Sequence, residues 1–389
     1  MNNIKNIFIS IFQIYSQIIF KKRVDLVFYY PLHFNRSKIG TNPYFDPLIA
    51  VCKENNIRYV IIEEPDGGSD KPHNTNTLKG DALFGTIIIF RKLLRIIFKL
   101  DYLKQERYTA KFINIITFNK LKVNKYITIS GSMEHLFCFM NKKGKVYDLQ
   151  HGIIFSKHQG YFYKNGKIRD EHQVENLNFL VYGEGTYNAF YKNKDNSDII
   201  ANRIHIIGCP LENGDKTIQE TGNNIFYSLQ YTSDNLWDKR EFTRLFIDSV
   251  KSISKHNINI EYKHHPRFDN SVDLQKECFG YNISETKERI EEIINRTKLH
   301  ITYFSTTAFE FAAYGVPTYF LISDIIPDGK NIFYDEYEYP LYKDMTINEV
   351  IERLNNQINR NEDAKIVTEW YNKFYKPFDK QAFLDTIKS

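Results

Sequence analysis

The sequence predicts an α/β protein of two domains, each a parallel sheet covered by helices on both faces. Three observations carry this. The chain has 389 residues, about twice the length of a typical single domain. Short β-rich runs alternate with runs of helical period, the rhythm of parallel strands joined by crossover helices. The alternation pauses between Leu211 and Asn223 and then starts again, so two Rossmann-like series follow one another, with their sheets expected to face across a cleft. The expected domains are residues 1–215 and 222–365, with a C-terminal helix in 366–389 that crosses back to the first domain.

The elements follow in order. Ile4, Ile7, Phe8, Ile11, Phe12, Tyr15, Ile18 and Ile19 recur at helical spacing. Ser10, Gln13, Ser16 and Gln17 interrupt the apolar run, and a spanning helix needs about 20 nearly uninterrupted apolar residues. The charges Lys21, Lys22 and Arg23 follow the run, whereas a signal peptide places them before it. An amphipathic helix is expected, packed on its own domain or lying in the plane of a membrane. Asp25–Tyr30 reads as a strand stopped by Pro31, Phe45–Asn55 as a helix and Tyr59–Ile62 as a strand. The acidic stretch Glu63–Gly68 reads as a solvated loop, metal binding being the alternative. Asp81–Leu100 is a long helix with Arg91, Arg95 and Lys99 on one stripe, either a solvated face or one that meets anionic lipid. Ile113–Phe118 and Tyr126–Ser130 read as strands. Gly131 and Ser132 open the helix Met133–Met140, and Lys145–Leu149 is the next strand.

The second series runs Ile225–Leu229 (strand), Lys239–Ser254 (helix), Ile258–Tyr262 (strand), Thr286–Arg296 (helix), His300–Phe304 (strand), Thr307–Tyr314 (helix) and Thr318–Ile322 (strand). Ligands of open parallel sheets sit beyond the carboxyl ends of the strands. The chemically dense stretches all fall there.

Composition narrows the class. A net charge of +5 is small for this length and argues against nucleic acid, which draws positive charge into one domain. It suits an enzyme that handles phosphates or works near an anionic membrane. Cys52, Cys138, Cys209 and Cys278 are far apart with no CxxC spacing, which reads as reduced, buried thiols in a cytoplasmic protein without zinc. No GxxxxGK[ST], HExxH or GxSxG occurs.

Three constellations stand out. Gln150-His151-Gly152 follows a strand. Histidine is the natural general base near neutral pH, and glycine lets the backbone turn close to a ligand. His158 sits in the same loop. Lys263, His264, His265, Pro266 and Arg267 bring four potentially cationic side chains to one strand end, suited to a phosphate. Ser305, Thr306 and Thr307 lead into the helix that carries Glu310, offering hydroxyls and free N–H groups to an anion, although helix capping alone would account for them.

The order of these motifs, with Val181-Tyr182-Gly183-Glu184 and Ile206-Ile207-Gly208-Cys209-Pro210 between them and Gly315-Val316-Pro317 after them, resembles GT-B-fold transferases of bacterial surface polysaccharides. This broad group includes CDP-glycerol glycerophosphotransferases and the sialyl- and Kdo-transferases with a His-Pro motif. The similarity runs from about Tyr126 to Leu321. It implies a GT-B chain that transfers a sugar from a CMP-, CDP- or UDP-linked donor to a hydroxyl of a capsule, O-antigen or lipooligosaccharide, the alternatives being a polyol phosphotransferase, an epimerase or a non-catalytic sugar binder. His151 then matches the acceptor base and His265-Pro266 the donor-phosphate motif. Ser305, Thr306 and Thr307 match the second phosphate contact, and Glu310 a ribose or base contact. No cofactor or metal is expected, because the cationic side chains meet the donor. The expected partners are a nucleotide-activated sugar, a glycan or lipid-linked acceptor, and the inner face of the cytoplasmic membrane. No acidic-acidic-Gly motif precedes the His-Pro, a departure from the sialyltransferase pattern.

Overall fold

The computed structural model describes residues 2–16, 24–35, 40–66, 73–74, 76–129, 131, 133–211, 222–231, 239–265, 268–321 and 332–389. The chain divides into two compact units. Met1–Glu212 and Lys376–Ser389 form unit 1, and Asn213–Tyr375 forms unit 2.

Unit 1 runs α1 (Asn2–Ile14), β1 (Leu26–Pro31), α2 (Asp46–Glu54), β2 (Tyr59–Glu64), β3 (Leu78–Lys79), α3 (Asp81–Phe98), α4 (Tyr102–Ile116), β4 (Lys125–Ile129), α5 (Glu134–Met140), β5 (Lys145–Leu149), β6 (Leu177–Val181), α6 (Glu184–Tyr191), α7 (Ser197–Ile200) and β7 (Ile204–Ile206). Its sheet order is β3-β2-β1-β4-β5-β6-β7, every pair parallel. Leu26 registers with Tyr59 on one side and Lys125 on the other, which makes β1 central. All six β1 residues are buried, as expected of a parallel strand covered on both faces. Pro31 is the last residue of the strand.

Unit 2 runs β8 (Asn224–Ser228), α8 (Lys239–Ile253), β9 (Ile260–Lys263), α9 (Leu274–Glu277), β10 (Ile283–Glu285), α10 (Ile290–Ile294), β11 (Thr297–Thr302), α11 (Thr307–Ala313), β12 (Thr318–Phe320), α12 (Ile332–Asp335), α13 (Ile347–Asn355) and α14 (Gln357–Phe374). The order β10-β9-β8-β11-β12 is again parallel throughout. α14 closes this unit. Phe309 of α11 stacks on Trp370 at 4.7 Å and on Tyr375 at 4.1 Å between ring centroids. Each fully buried ring of this kind is worth roughly 1.5–3 kcal/mol against exposure.

The final helix, α15 (Lys380–Lys388), belongs to unit 1. The Cys209 N–H donates to the Lys376 carbonyl at 2.7 Å, the Asp379 N–H to the Ile207 carbonyl at 2.8 Å, and the Tyr147 hydroxyl to the Thr386 carbonyl at 2.9 Å. Gly208 makes the crossing possible. Its φ is +76°, and a Cβ there would lie 2.0 Å from the Pro377 carbonyl oxygen, so no other residue fits.

Three sequence expectations are corrected. Ile113–Phe118 is not a strand, since Ile113–Ile116 form the last turn of α4. Its β-branched residues suggest strand, but Ala110 and Ile113 are buried at helical spacing, and that packing outweighs propensity. The helix expected over Thr286–Arg296 shrinks to α10, at whose start the Glu292 carboxylate accepts the Arg289 N–H at 3.1 Å, because the pairing of Ile283–Glu285 with β9 carries on into Thr286, whose N–H donates to the Tyr262 carbonyl at 2.9 Å. β11 starts three residues before the expected His300, at Thr297, which moves His300 into the buried middle of a strand.

Candidate functional site

In each unit the strand order reverses at one point, between β1 and β4 in unit 1 and between β8 and β11 in unit 2. Ligands of open parallel sheets bind beside such points, beyond the carboxyl ends.

In unit 1, β5 delivers Gln150, His151 and Gly152 together. Gln150 is buried; its Oε1 accepts the Tyr182 N–H at 2.8 Å and its Nε2 donates to the Gly152 carbonyl at 2.7 Å. His151 is exposed, with its ring edge-on to Phe34 at 4.8 Å and Tyr44 at 5.7 Å, in the turn that follows β1. Gly152 has φ +76° and open space where a Cβ would stand, leaving room for a substrate beside the imidazole. His158 is turned inward. Its Nδ1 accepts the Gly160 N–H at 3.1 Å, its ring packs on Phe155 and Tyr161, and burial lowers its pKa.

Glu63, read from sequence as part of a solvated acidic loop, is fully buried in β2. His73 Nδ1 donates to its Oε2 at 2.7 Å, while the Tyr30 hydroxyl, Asn35 Nδ2 and the Asn74 N–H converge on its Oε1 at 3.1, 2.8 and 3.1 Å. Burial pushes its pKa up, but these donors outweigh burial and hold it below the usual carboxylate value. The carboxylate thus ties the turn after β1 to the loop before β3.

Next to the switch point lies a buried charged cluster. Glu106, Glu134 and Asp148 are all under 4% exposed. Arg91 donates to Glu106, so it is not part of the solvated basic stripe expected for α3. Asp148 accepts the Gly131 N–H at 3.2 Å and the Tyr161 hydroxyl at 3.1 Å. Burial raises the pKa of Glu134 and of Asp148, and the Asp148 charge raises Glu134 further. His135 and His172 adjoin them at 5.6 Å between ring centroids, and burial lowers both pKa values.

In unit 2, β9 and β11 flank β8, so Lys263–His265 and Ser305–Thr307 share one edge. Lys263 donates to the Glu288 carbonyl. His264 stacks on Phe268 at 3.7 Å with an interplanar angle of 6°, and burial lowers its pKa, so it packs there as a neutral ring. His265 is half-buried, and its carbonyl accepts the Phe268 N–H at 2.9 Å. Pro266 and Arg267 lie outside the described residues. Ser305 Oγ accepts the Thr307 N–H at 3.3 Å, while Thr306 makes no side-chain cap. α11 has only seven residues, so hydroxyls and loop N–H groups, rather than a long helix dipole, face the edge. Glu310 is half-buried; burial and the Glu291 charge lift its pKa to about 7, with Lys263 opposing.

Beneath this edge lies His300, 0% exposed. Its Nδ1 is 2.9 Å from Thr318 Oγ1, and its Nε2 is 2.9 Å from Ser228 Oγ and 3.3 Å from Thr307 Oγ1. Its ring lies on Phe311 at 4.2 Å, and burial lowers its pKa to about 3. This neutral imidazole, on β11, fixes the hydroxyls of β8 and β12 on either side of it and the start of α11.

No family model and no curated protein matches this sequence. Solved structures do. A UDP-GlcNAc 2-epimerase from Methanocaldococcus jannaschii aligns with TM-score 0.52 at 13% identity, over 94% of this chain and 99% of that one. The wall teichoic acid polymerase TagF aligns with TM-score 0.53 at 11% identity, over 100% and 96%. TarM of S. aureus, in a structure with fondaparinux, α-GlcNAc-glycerol and UDP, aligns with TM-score 0.55 at 10% identity, over 93% and 98%. The fold is GT-B. Near-complete coverage of both chains in each pair means that two consecutive Rossmann-like units, rather than one, underlie the likeness.

Within this GT-B chain, reading by motif missed His300, Glu63, and the group Glu134, His135 and His172. A signal existed for Glu134-His135, a charged pair straight after the strand-end Gly131. His300 carried a weaker one, as a lone polar ring between Leu299 and Ile301. Their partners, however, come from other strands and loops.

Proposed function

We propose that this chain is a glycosyltransferase acting on a nucleotide-activated donor and a hydroxyl of a bacterial surface glycan. The observation that carries the reading is the carboxyl edge of unit 2, where Lys263, His265, Ser305 and Thr307 lie at or just beyond the ends of the strands on either side of β8, in a fold shared with TarM, whose structure holds UDP. The donor phosphates sit against Lys263, His265 and the Ser305–Thr307 hydroxyls, in a run that continues into Pro266 and Arg267. Glu310 meets the ribose or base. The acceptor hydroxyl approaches His151, which takes its proton as the oxygen bonds to the anomeric carbon. The bond from that carbon to the phosphate oxygen breaks, and the nucleotide leaves with the electron pair and the negative charge, which the cationic edge stabilises. These side chains do the work of a metal in the transfer step.

The sugar-nucleotide epimerase neighbour favours a second reading, turnover of a nucleotide sugar without acceptor, and TagF favours a third, transfer of a polyol phosphate. Thermal-shift measurements with CMP, CDP, UDP, GDP and their sugars test the common part. A ligand at a hundredfold excess over its Kd adds about 2.7 kcal/mol of stability, and silence from every nucleotide sinks all three readings. Product analysis with and without acceptor separates them.

The acceptor is proposed to reach the enzyme at an anionic membrane face. α1 buries polar Ser10 alongside apolar Ile14 and leaves large apolar side chains outside. Ser10 is 0% exposed, its Oγ bonded to Lys79 and Ala82, and Gln13 Oε1 accepts the Lys79 N–H, while Phe8 and Phe12 are 68% and 73% exposed. On α3, Ile89, Ile96, Ile97 and Phe98 are each 60% or more exposed. Between residues 81 and 122, nine Lys and Arg outnumber three Asp and Glu. A groove of about 360 Å³, lined by Ile11, Ile14, Leu83, Ile89 and Ile116 among others, runs between these helices and suits an acyl chain. No helix among the described residues is long and apolar enough to cross a membrane, which fits in-plane contact.

A further inference from the structure

We propose that unit 1 binds a divalent cation, Zn²⁺ foremost, between Glu134, His135 and His172. The argument begins with the ring protons. His135 Nε2 lies 2.8 Å from the Glu171 carbonyl oxygen, and His172 Nε2 lies 2.7 Å from the Gly160 carbonyl oxygen. A carbonyl only accepts, so both rings carry a proton on Nε2, and in the neutral imidazole Nδ1 is then a lone pair.

The Nδ1 atoms and the Glu134 carboxylate face one another. One ligand atom from each of the three residues lies within 4.8 Å of the others. The residues are 2%, 5% and 3% exposed for His135, His172 and Glu134. His172 Nδ1 and Glu134 Oε2 are buried without a hydrogen-bond partner. His135 Nδ1 stands 3.1 Å from Glu134 Oε1 and accepts the Tyr102 hydroxyl, also at 3.1 Å. Buried acceptors with nothing between them are costly. A cation among them satisfies His172 Nδ1 and Glu134 Oε2, the two without a partner, and takes the His135 Nδ1 lone pair in place of the Tyr102 hydroxyl.

The surroundings are those of a ligand set. Imidazoles that bind a metal through one nitrogen usually donate the other N–H to a carbonyl or carboxylate, which fixes their orientation, and both rings here do so. Two imidazoles and one carboxylate with a further open position suit Zn²⁺. At metal–ligand distances of about 2.0–2.2 Å, tetrahedral ligand atoms stand about 3.4 Å apart, so small rotamer adjustments complete the site. The charge also balances. Glu106, Glu134 and Asp148 together carry three potential negative charges against one positive charge on Arg91, and a dication makes up the difference.

The cation would fasten the turn at Glu171–His172 to the first turn of α5. It would thereby anchor the far end of the loop that carries Gln150, His151, Gly152 and His158. Its role is positional, and no step of the transfer passes through it. A cation here departs from the sequence expectation of none.

The test uses the full-length protein. After chelator treatment and removal of the chelator, titration with Co²⁺ is expected to produce visible d–d absorption that saturates at one equivalent and is bleached by Zn²⁺. Zn²⁺ is also expected to raise the Tm of the stripped protein. His172→Ala and Glu134→Gln should each lose the saturable signal while keeping the far-UV circular dichroism of the parent. Absence of saturable Co²⁺ absorption in the parent overturns the proposal whether or not the variants fold. Saturable binding that persists in a folded His172→Ala variant also overturns it, since the ion would then lie elsewhere.

Discussion

Gln150 and Tyr182 clasp each other in both directions: the Gln150 side-chain oxygen accepts the Tyr182 N–H at 2.8 Å, and the Tyr182 hydroxyl donates to the Gln150 carbonyl. The Gln150 N–H donates to the Leu180 carbonyl at 2.9 Å and its Nε2 to the Gly152 carbonyl at 2.7 Å. Every polar group of the residue before His151 is therefore committed to β6 or to the turn itself. His151 projects from a backbone that has no slack.

Gln150→Ala is expected to leave the buried Tyr182 N–H and the Gly152 carbonyl unpaired. Each orphaned group costs about 1–3 kcal/mol. Urea unfolding should show a loss of about 2–6 kcal/mol, and transfer should slow tenfold or more as the imidazole loses its register.

His151→Ala is expected to lower the transfer rate by about 10²–10⁴, the usual contribution of a general base. The Kd for the nucleotide donor should not change. Full activity in this variant would strip His151 of the role.

The buried Arg91–Glu106 pair gives an asymmetric prediction. Glu106 is 0% exposed and its Oε1 has no partner. Arg91→Met removes the partner of a buried carboxylate and should cost about 3–5 kcal/mol, whereas Arg91→Met combined with Glu106→Leu should recover most of it. A double-mutant cycle in urea measures the difference.

His300 sets a pH dependence for unit 2. Its folded pKa is lowered to about 3 by burial, well below the value near 6.5 of an unfolded histidine. Between those values the unfolded chain binds a proton that the folded chain does not. This contribution is fully present above pH 6.5 and is lost as pH falls towards 3, at up to about 1.4 kcal/mol per pH unit. The difference in stability between the parent and His300→Asn, followed from pH 7 to pH 4, isolates it. A difference that stays flat over this range would contradict the assignment.

Phe8→Ser with Phe12→Ser, and separately Ile89→Ser with Ile96→Ser, should reduce co-sedimentation with vesicles containing anionic lipid by tenfold or more. Raising salt should weaken the parent's binding, because screening removes the contribution of the lysines and arginines. Equal sedimentation of parent and variants would remove the membrane face from the proposal.

Much of the architecture is legible because central parallel strands are continuous apolar runs. Leu26–Pro31 is wholly buried, and no amphipathic helix has that pattern. Ile113–Ile116 misleads because β-branched residues fit a strand or a well-packed helical turn equally well. The Gln150-His151-Gly152 turn can be found from sequence, since a glycine after a buried strand marks a place where backbone comes close to a ligand. The contacts of His135 cannot, because Glu171 lies 36 residues away and reaches it only through the fold. The direction of α1 is likewise hidden. Periodicity defines two faces, and only the bonds of Ser10 and Gln13 reveal that polar residues join Ile14 on the inward one.

The crossing of residues 376–379 over Gly208 also fixes the order in which the molecule can be completed. The ribosome releases unit 2 in full before Lys376 and α15 emerge, so the strand end at Ile207 and the Tyr147 hydroxyl wait for partners still being translated. Domains fold largely as they appear. A released chain that ends at Tyr375 should therefore hold a finished second unit and an unsealed first one. Loss of the last 14 residues should expose the first unit to proteases and leave the second intact.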